Sequence, residues 1–199
     1  GLENMFAAYY EYPDDLKDLI ERLAAAQKKS IKLLAEAGCD GVMAYDDWGL
    51  QDRLMVGLNL INEFFIPFYK ENWEYAHKLG MDVWMHSCGY TIEVLPLLAQ
   101  AGLNVAQLDQ QENMGLEELN KAVGGKLAFW CPVDIQKAMV ERTPDGIEEY
   151  VIQMIKTLGS HNGGLISMSY SSPQAVGHTP ENIDAMCRAF RKHERFGLE

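Results

Sequence analysis

The chain is short of positive charge. Its 17 Lys and Arg stand against 29 Asp and Glu, a formal net charge of -12 over 199 residues. A nucleic-acid surface needs clustered cations to meet phosphates, so no nucleic-acid partner is expected. A small anionic substrate stays compatible, because a local pocket can oppose the global field. No apolar run reaches membrane-spanning length and no signal-peptide pattern opens the chain, so no membrane partner is expected either. The four cysteines, Cys39, Cys88, Cys131 and Cys187, make no CxxC pair and do not read as a disulfide framework. That usage suits a reducing, cytoplasmic setting. No low-complexity stretch or linker divides the sequence, and its length suits one domain with a substantial core. An initiator Met is missing too: Gly1-Leu2-Glu3-Asn4-Met5 reads as cut from something longer, and the closing Leu198-Glu199 as a cloning remnant.

What is present alternates between helical and strand patterns. Leu16, Ile20, Leu23, Ile31 and Leu34 recur at roughly helical spacing from Pro13 to Glu36, with Gly38 as a stop. Gly41 to Tyr45 reads as a buried strand ending in Asp46-Asp47-Trp48. A helix from about Asn59 to Leu79 closes on Gly80 and is followed by a strand from Met81 to Ser87. Further units are a helix near Thr91 to Ala101, a strand at Asn104 to Leu108 and a helix from Leu116 to Val123. A fourth strand runs from Lys126 to Cys131 and a fifth from Gly164 to Ser169. Thr143-Pro144 and Thr179-Pro180 each offer Thr as N-cap and Pro at the first helical position. Repeated strand-helix units predict a parallel sheet covered by helices. Five strands cannot close an eight-stranded barrel, so the expectation is an open α/β sheet or part of a (β/α)8 barrel.

The strand ends carry the candidate chemistry. His86 and Cys88 are two residues apart, and a strand places such residues on one face, at the end where an α/β barrel keeps its active site. Nitrogen plus thiolate is a set that zinc favours; the bland alternative is a core thiol and a hydrogen-bonded His. Of the adjacent acids Asp46 and Asp47, only one can look into the barrel mouth, as a general acid or base, a partner of His86 or a substrate contact. Asp109 and Asp134 follow the third and fourth strands, where each either faces the site or caps the next helix. Cys131 offers a further thiolate or a structural thiol. Tyr170, after the fifth strand, offers a hydrogen bond or an aromatic wall. His178, ahead of the Thr179 cap, reads as a loop residue.

In their order and spacing these segments resemble the uroporphyrinogen decarboxylase superfamily, which includes corrinoid methyltransferases. The carriers are Glu36-Ala37-Gly38-Cys39-Asp40-Gly41 leading into Asp46-Asp47, then His86-Ser87-Cys88-Gly89, Leu108-Asp109, Cys131-Pro132-Val133-Asp134, Gly163-Gly164-Leu165-Ile166 and Thr179-Pro180-Glu181-Asn182-Ile183. The resemblance implies a (β/α)8 TIM barrel, with residues 1–199 as its carboxyl-terminal part of about five strand-helix units. In the methyltransferase branch a His-x-Cys pair and a later Cys bind zinc, which activates a thiol to take methyl from a corrinoid protein. His86 and Cys88 match the pair, but Tyr170 stands where the later Cys falls, leaving a third ligand to Cys131 or an acid. By the same resemblance Asp46, Asp47 and Tyr170 would serve the reaction, and Asp109 and Asp134 would contact the cofactor. The decarboxylase branch needs no metal and lacks the His-x-Cys pair; porphyrin biosynthesis is the alternative activity it implies. A non-catalytic half-barrel, paired with itself or with a missing half, is the alternative of another class. In either case open sheet edges make a homo-oligomer the expectation.

Overall fold

The structure, a computed structural model, describes residues 1–194, so the closing Leu198-Glu199 lies outside it. Leu2–Glu11 form α1 and Pro13–Glu36 form α2. The break between them follows from Pro13, whose ring disfavours helical backbone in the residue before it. Tyr12 accordingly takes φ -138° and ψ 52°. Pro13 then opens α2, where a missing N–H is harmless. The periodicity that marks α2 does not extend to α1, which the sequence reading leaves without a helix.

Five strands make one parallel sheet in chain order: β1 (Gly41–Tyr45), β2 (Asp82–His86), β3 (Val105–Gln107), β4 (Ala128–Cys131) and β5 (Leu165–Ser167). Each falls within the apolar run that predicts it. Parallel neighbours need a crossover, supplied here by helices. After β1 come α3 (Leu58–Leu60), a π-helical stretch (Ile61–Phe65) and α4 (Ile66–Lys78), where a continuous helix is expected from the pattern. Pro67 accounts for the irregularity. It cannot donate to a carbonyl one turn back and its ring crowds that carbonyl, so the ladder widens before it. The remaining helices are α5 (Leu95–Ala101), α6 (Leu116–Val123), α7 (Ala138–Glu141), α8 (Pro144–Leu158) and α9 (Pro180–His193). The two predicted Thr caps are formed: Thr143 Oγ1 accepts from Gly146 N at 3.4 Å, and Thr179 Oγ1 from Asn182 N at 3.2 Å.

Register sorts the sheet into two faces. His86 pairs with Gln107 and Gln107 with Trp130, so these side chains share a face, together with Trp84, two residues before His86. Val83, Met85, Ala106, Phe129 and Cys131 point the other way, into the helix layer, and all are buried. Burying side chains of this size contributes about 1.5–3 kcal/mol each for the larger ones, which fixes the register that aims His86. Among the described residues the sheet is open, since β1 pairs with β2 alone and β5 with β4 alone. Tyr45 on the first edge is 70% exposed and Ile166 on the last 39%. On α2, Ile20 and Ile31 are buried, but Leu23 and Leu34 of the same apolar pattern face solvent, beside the exposed Leu19 and Leu33. The apolar stripe of α2 is wider than the sheet it covers. No helix among the described residues is long and apolar enough to cross a membrane.

Candidate metal centre

All five strands run parallel, so their carboxyl ends lie on one rim, and the predicted polar residues collect there. Asp47, His86 and Cys88 form a three-residue cluster whose donor atoms all lie within 4.8 Å of one another. His86 Nε2 is 3.2 Å from Cys88 Sγ and 3.4 Å from Asp47 Oδ1. The His side chain is largely buried and Asp47 is 57% exposed, so the cluster is walled on the protein side and open on the other.

A chain of hydrogen bonds behind His86 sets its tautomer. Gln107 Nε2 donates to Asp109 Oδ1 at 2.6 Å and lies 3.2 Å from Met168 Sδ. That leaves the amide oxygen of Gln107 facing His86 Nδ1, with which it is hydrogen-bonded. An amide oxygen only accepts, so Nδ1 carries a proton, and Nε2 is the ring atom turned toward Cys88 and Asp47. A lone pair and a carboxylate oxygen at this separation repel unless a cation or a further proton sits between them. This is the arrangement by which metal-binding imidazoles are oriented from behind.

The electrostatics agree. Burial, then the charges of Asp47 and Asp109, push the Cys88 thiol up to about 12. Without a cation the group stays a thiol at neutral pH; a positive ion here would favour the thiolate. Burial also raises Asp109, an effect opposed by its bond from Gln107 and by His86. Tyr170 is raised by burial and then by Asp109 and Cys88, which sets its hydroxyl within electrostatic reach of the cluster. Its ring lies 6.2 Å from that of His178.

Backbone contacts hold Asp47 against Cys88. Cys88 N donates to Asp47 Oδ1 at 3.0 Å, Gly49 N to Cys88 O at 3.1 Å, and Tyr90 N to Leu50 O at 2.7 Å. The loops after β1 and β2 thus pair through Gly49 and Gly89, and a Cβ on either would collide with the backbone of the other. Gly89 also has φ +76°. Gly89→Ala is therefore expected to part the loops, and if the cluster holds zinc, to cut its affinity by at least about tenfold with Asp47, His86 and Cys88 themselves unsubstituted. Zinc titration of the variant against the parent checks this; unchanged affinity would show that the loop contact does not set the site.

The other predicted residues separate. Asp46 turns from the cluster to accept from Tyr69 at 2.6 Å, and burial raises its carboxyl despite that bond. Asp134 takes the capping alternative. It is fully buried, Oδ1 accepts from Gln136, Lys137 and Ala138 N at 3.1, 2.7 and 3.4 Å, and Oδ2 from Glu112 N at 3.0 Å. Its oxygens face backbone rather than the cluster. Cys131 lies on the helix-facing side of β4, so it is a structural thiol, raised to about 12 by burial. His178 Nε2 donates to Ile135 O at 2.9 Å. Sequence reasoning passed over Gln107, although it occupies the residue before Leu108-Asp109 on the predicted third strand. Alternation alone would have put it on the same face as Asp109.

Comparison with known proteins fits this frame. The family profile described as Uroporphyrinogen decarboxylase (URO-D) matches residues 1–193. A uroporphyrinogen decarboxylase of Methylobacillus flagellatus is 24% identical, over 90% of this chain and 49% of its own length. One from Erwinia tasmaniensis is 23% identical, over 94% of this chain and 50% of its own. The chain spans about half the length of the curated relatives it matches. Among solved structures, a methyltransferase from Methanosarcina mazei superposes with TM-score 0.71 at 14% identity, covering 98% of this chain and 54% of that one. A D-psicose 3-epimerase reaches TM-score 0.53 at 12% identity, over 88% of this chain and 70% of that one. At these identities the likeness is one of fold: five strand-helix units of a partial (β/α)8 barrel.

Proposed function

The chain belongs to the uroporphyrinogen decarboxylase family, and on that premise we propose that it is a zinc-dependent methyltransferase of that family, moving methyl between a corrinoid protein and a thiol or other small acceptor. The observation that carries this reading is the cluster of Asp47, His86 and Cys88, an O, N, S donor set of the kind zinc takes. The donors fit the ion: one lone pair is preset by Gln107, one thiol is held protonated for want of a positive charge, and one carboxylate faces the open side. Asp47 supplies the third ligand that Tyr170 does not. Bound zinc would hold an acceptor thiol as thiolate at neutral pH. Tyr170 would line the mouth, and Asp109 would steady Gln107 and through it His86. The likeness in fold to a methyltransferase supports the reading as methyl transfer. Four free cysteines suit a reducing cytoplasm.

The test is metal analysis of the purified chain together with methyl transfer from methylcobalamin to a simple thiol. About one zinc per chain, and transfer lost in Cys88→Ala, is the expected result. Absence of bound zinc after incubation with the metal would end the proposal.

The curated relatives favour a second reading, decarboxylation of a uroporphyrinogen-like acid. The charge at the site opposes it, since Asp47 in the cluster and Asp109 behind it would repel a polycarboxylate. Formation of coproporphyrinogen from uroporphyrinogen by the chain would restore it. We also infer that the chain self-associates as a homo-oligomer, because exposed Leu19, Leu23, Leu33 and Leu34 and two open sheet edges need cover. Light scattering should give a mass of at least about twice that of one chain; a monodisperse monomer would refute this.

A further inference from the structure

The Gln107 amide that orients His86 is itself held from a third side. Gln107 is 4% exposed, so its polar atoms have to be met from inside the protein. A side-chain amide has one accepting oxygen and two N–H groups. The oxygen takes the bond from His86 Nδ1, and one N–H goes to Asp109 Oδ1 at 2.6 Å. That leaves the second N–H for Met168 Sδ, 3.2 Å from the same nitrogen.

Met168 reaches that point from two strands away. Its N donates to Cys131 O at 3.2 Å, which carries the pairing of β4 with β5 one residue past Ser167. Ile166 pairs with Trp130 and Trp130 with Gln107, so Met168, two residues on, returns to the face that holds Gln107 and His86. The opposite amide orientation shows what the sulfur prevents. Turned over, Gln107 would set its oxygen against a carboxylate and a thioether, both of which only accept, and its NH2 against His86 Nδ1. His86 would then carry its proton on Nε2, the atom that faces Cys88 and Asp47. With the thioether in place two bonds oppose that rotation; without it Asp109 opposes it alone.

We propose that Met168 is a positioning residue of the centre: its thioether takes the second amide N–H of Gln107 and so keeps His86 in the tautomer whose Nε2 can bind a metal. Met168 is not one of the three donor residues and acts through Gln107. Its removal leaves an N–H of a buried amide without an acceptor, a loss the amide can relieve only by turning. As a determinant of the His86 tautomer this role needs no metal; as a determinant of zinc affinity it rests on the zinc-dependent reading above.

Two variants of the full chain, each read in two ways, test this. In nitrogen NMR spectra of the metal-free chain at pH 9, above the ordinary range of imidazole, the parent should show His86 protonated on Nδ1 alone. Met168→Leu keeps the bulk and removes the acceptor. It should show a second population protonated on Nε2 and bind zinc about three- to tenfold more weakly, at an unchanged melting temperature. Met168→Gln, whose amide oxygen can take the same N–H, should recover most of both. An Nε2 proton in the parent, a single Nδ1–H form in Met168→Leu, or equal losses in the two variants would overturn the proposal. A tautomer shift in a chain that binds no zinc would keep the positioning role and remove the zinc reading; zinc binding without a tautomer shift would do the reverse.

Discussion

Cys88→Ala is expected to lower zinc affinity by more than about 100-fold and to leave the melting temperature of the metal-free chain within a few degrees of the parent. The first part follows from ligand count. Losing an outer partner of a metal-binding His already costs about 10–100-fold, and Cys88 is itself one of three donors. The second follows from position, because the thiol is only partly buried and makes no contact on which the core depends. Asp47→Asn sharpens the test. The amide oxygen can still accept from Cys88 N, so the loop contact is kept while the negative charge is lost. Affinity should fall by at least about tenfold. Tyr170→Phe should leave it unchanged, since the proposal makes the Asp47 carboxylate the third ligand. Equal affinities for Asp47→Asn and the parent, with a loss for Tyr170→Phe, would exchange those roles.

The same geometry fixes a pH dependence. In the metal-free chain burial and two nearby acids hold the Cys88 thiol protonated up to about 12. Zinc binding must therefore release that proton at any pH between 7 and 9, and apparent affinity should rise about tenfold for each unit of pH from this group alone. Cys88→Ser, lacking the thiolate, should bind zinc weakly and lose most of the slope. A flat profile in the parent would mean that Cys88 is not a ligand.

The strands were the most legible part of the sequence, because short apolar runs between glycine and proline signals leave few other choices. The Gly41 to Tyr45 run and the Thr143 and Thr179 caps are cases where local chemistry decides the outcome. Two features depended on tertiary context. The apolar pattern of α2 gives no sign that Leu23 and Leu34 would face outward, because periodicity identifies a stripe and not its cover. The site shows the same division. The two-residue spacing at the end of β2 puts His86 beside Cys88, and alternation rules that Asp46 and Asp47 diverge. Which acid turns toward the cluster depends on the Gly49 and Gly89 crossing, 40 residues apart in sequence, and no local signal encodes it.

Asp134→Ala is expected to cost about 2–4 kcal/mol of stability, against little change in zinc content. The sequence leaves Asp134 open between cofactor contact and helix cap, and its surroundings decide. The carboxylate is fully buried and four backbone N–H groups point at it, three from the turn that opens α7 and one, Glu112 N, from the neighbouring strand-helix connection. Alanine strands those donors where water does not reach. The lost cap typically costs about 1 kcal/mol, and an unsatisfied buried donor adds about 1–3 kcal/mol. For a domain of this length such a loss lowers the melting temperature by about 4–16 °C. Asp134→Asn keeps one acceptor oxygen but turns an NH2 toward at least one of the same donors, so it should fall between the two. Differential scanning calorimetry of the three proteins, with zinc analysis of each, gives the answer. An unshifted melting temperature in Asp134→Ala, with activity lost, would return Asp134 to the ligand-binding role.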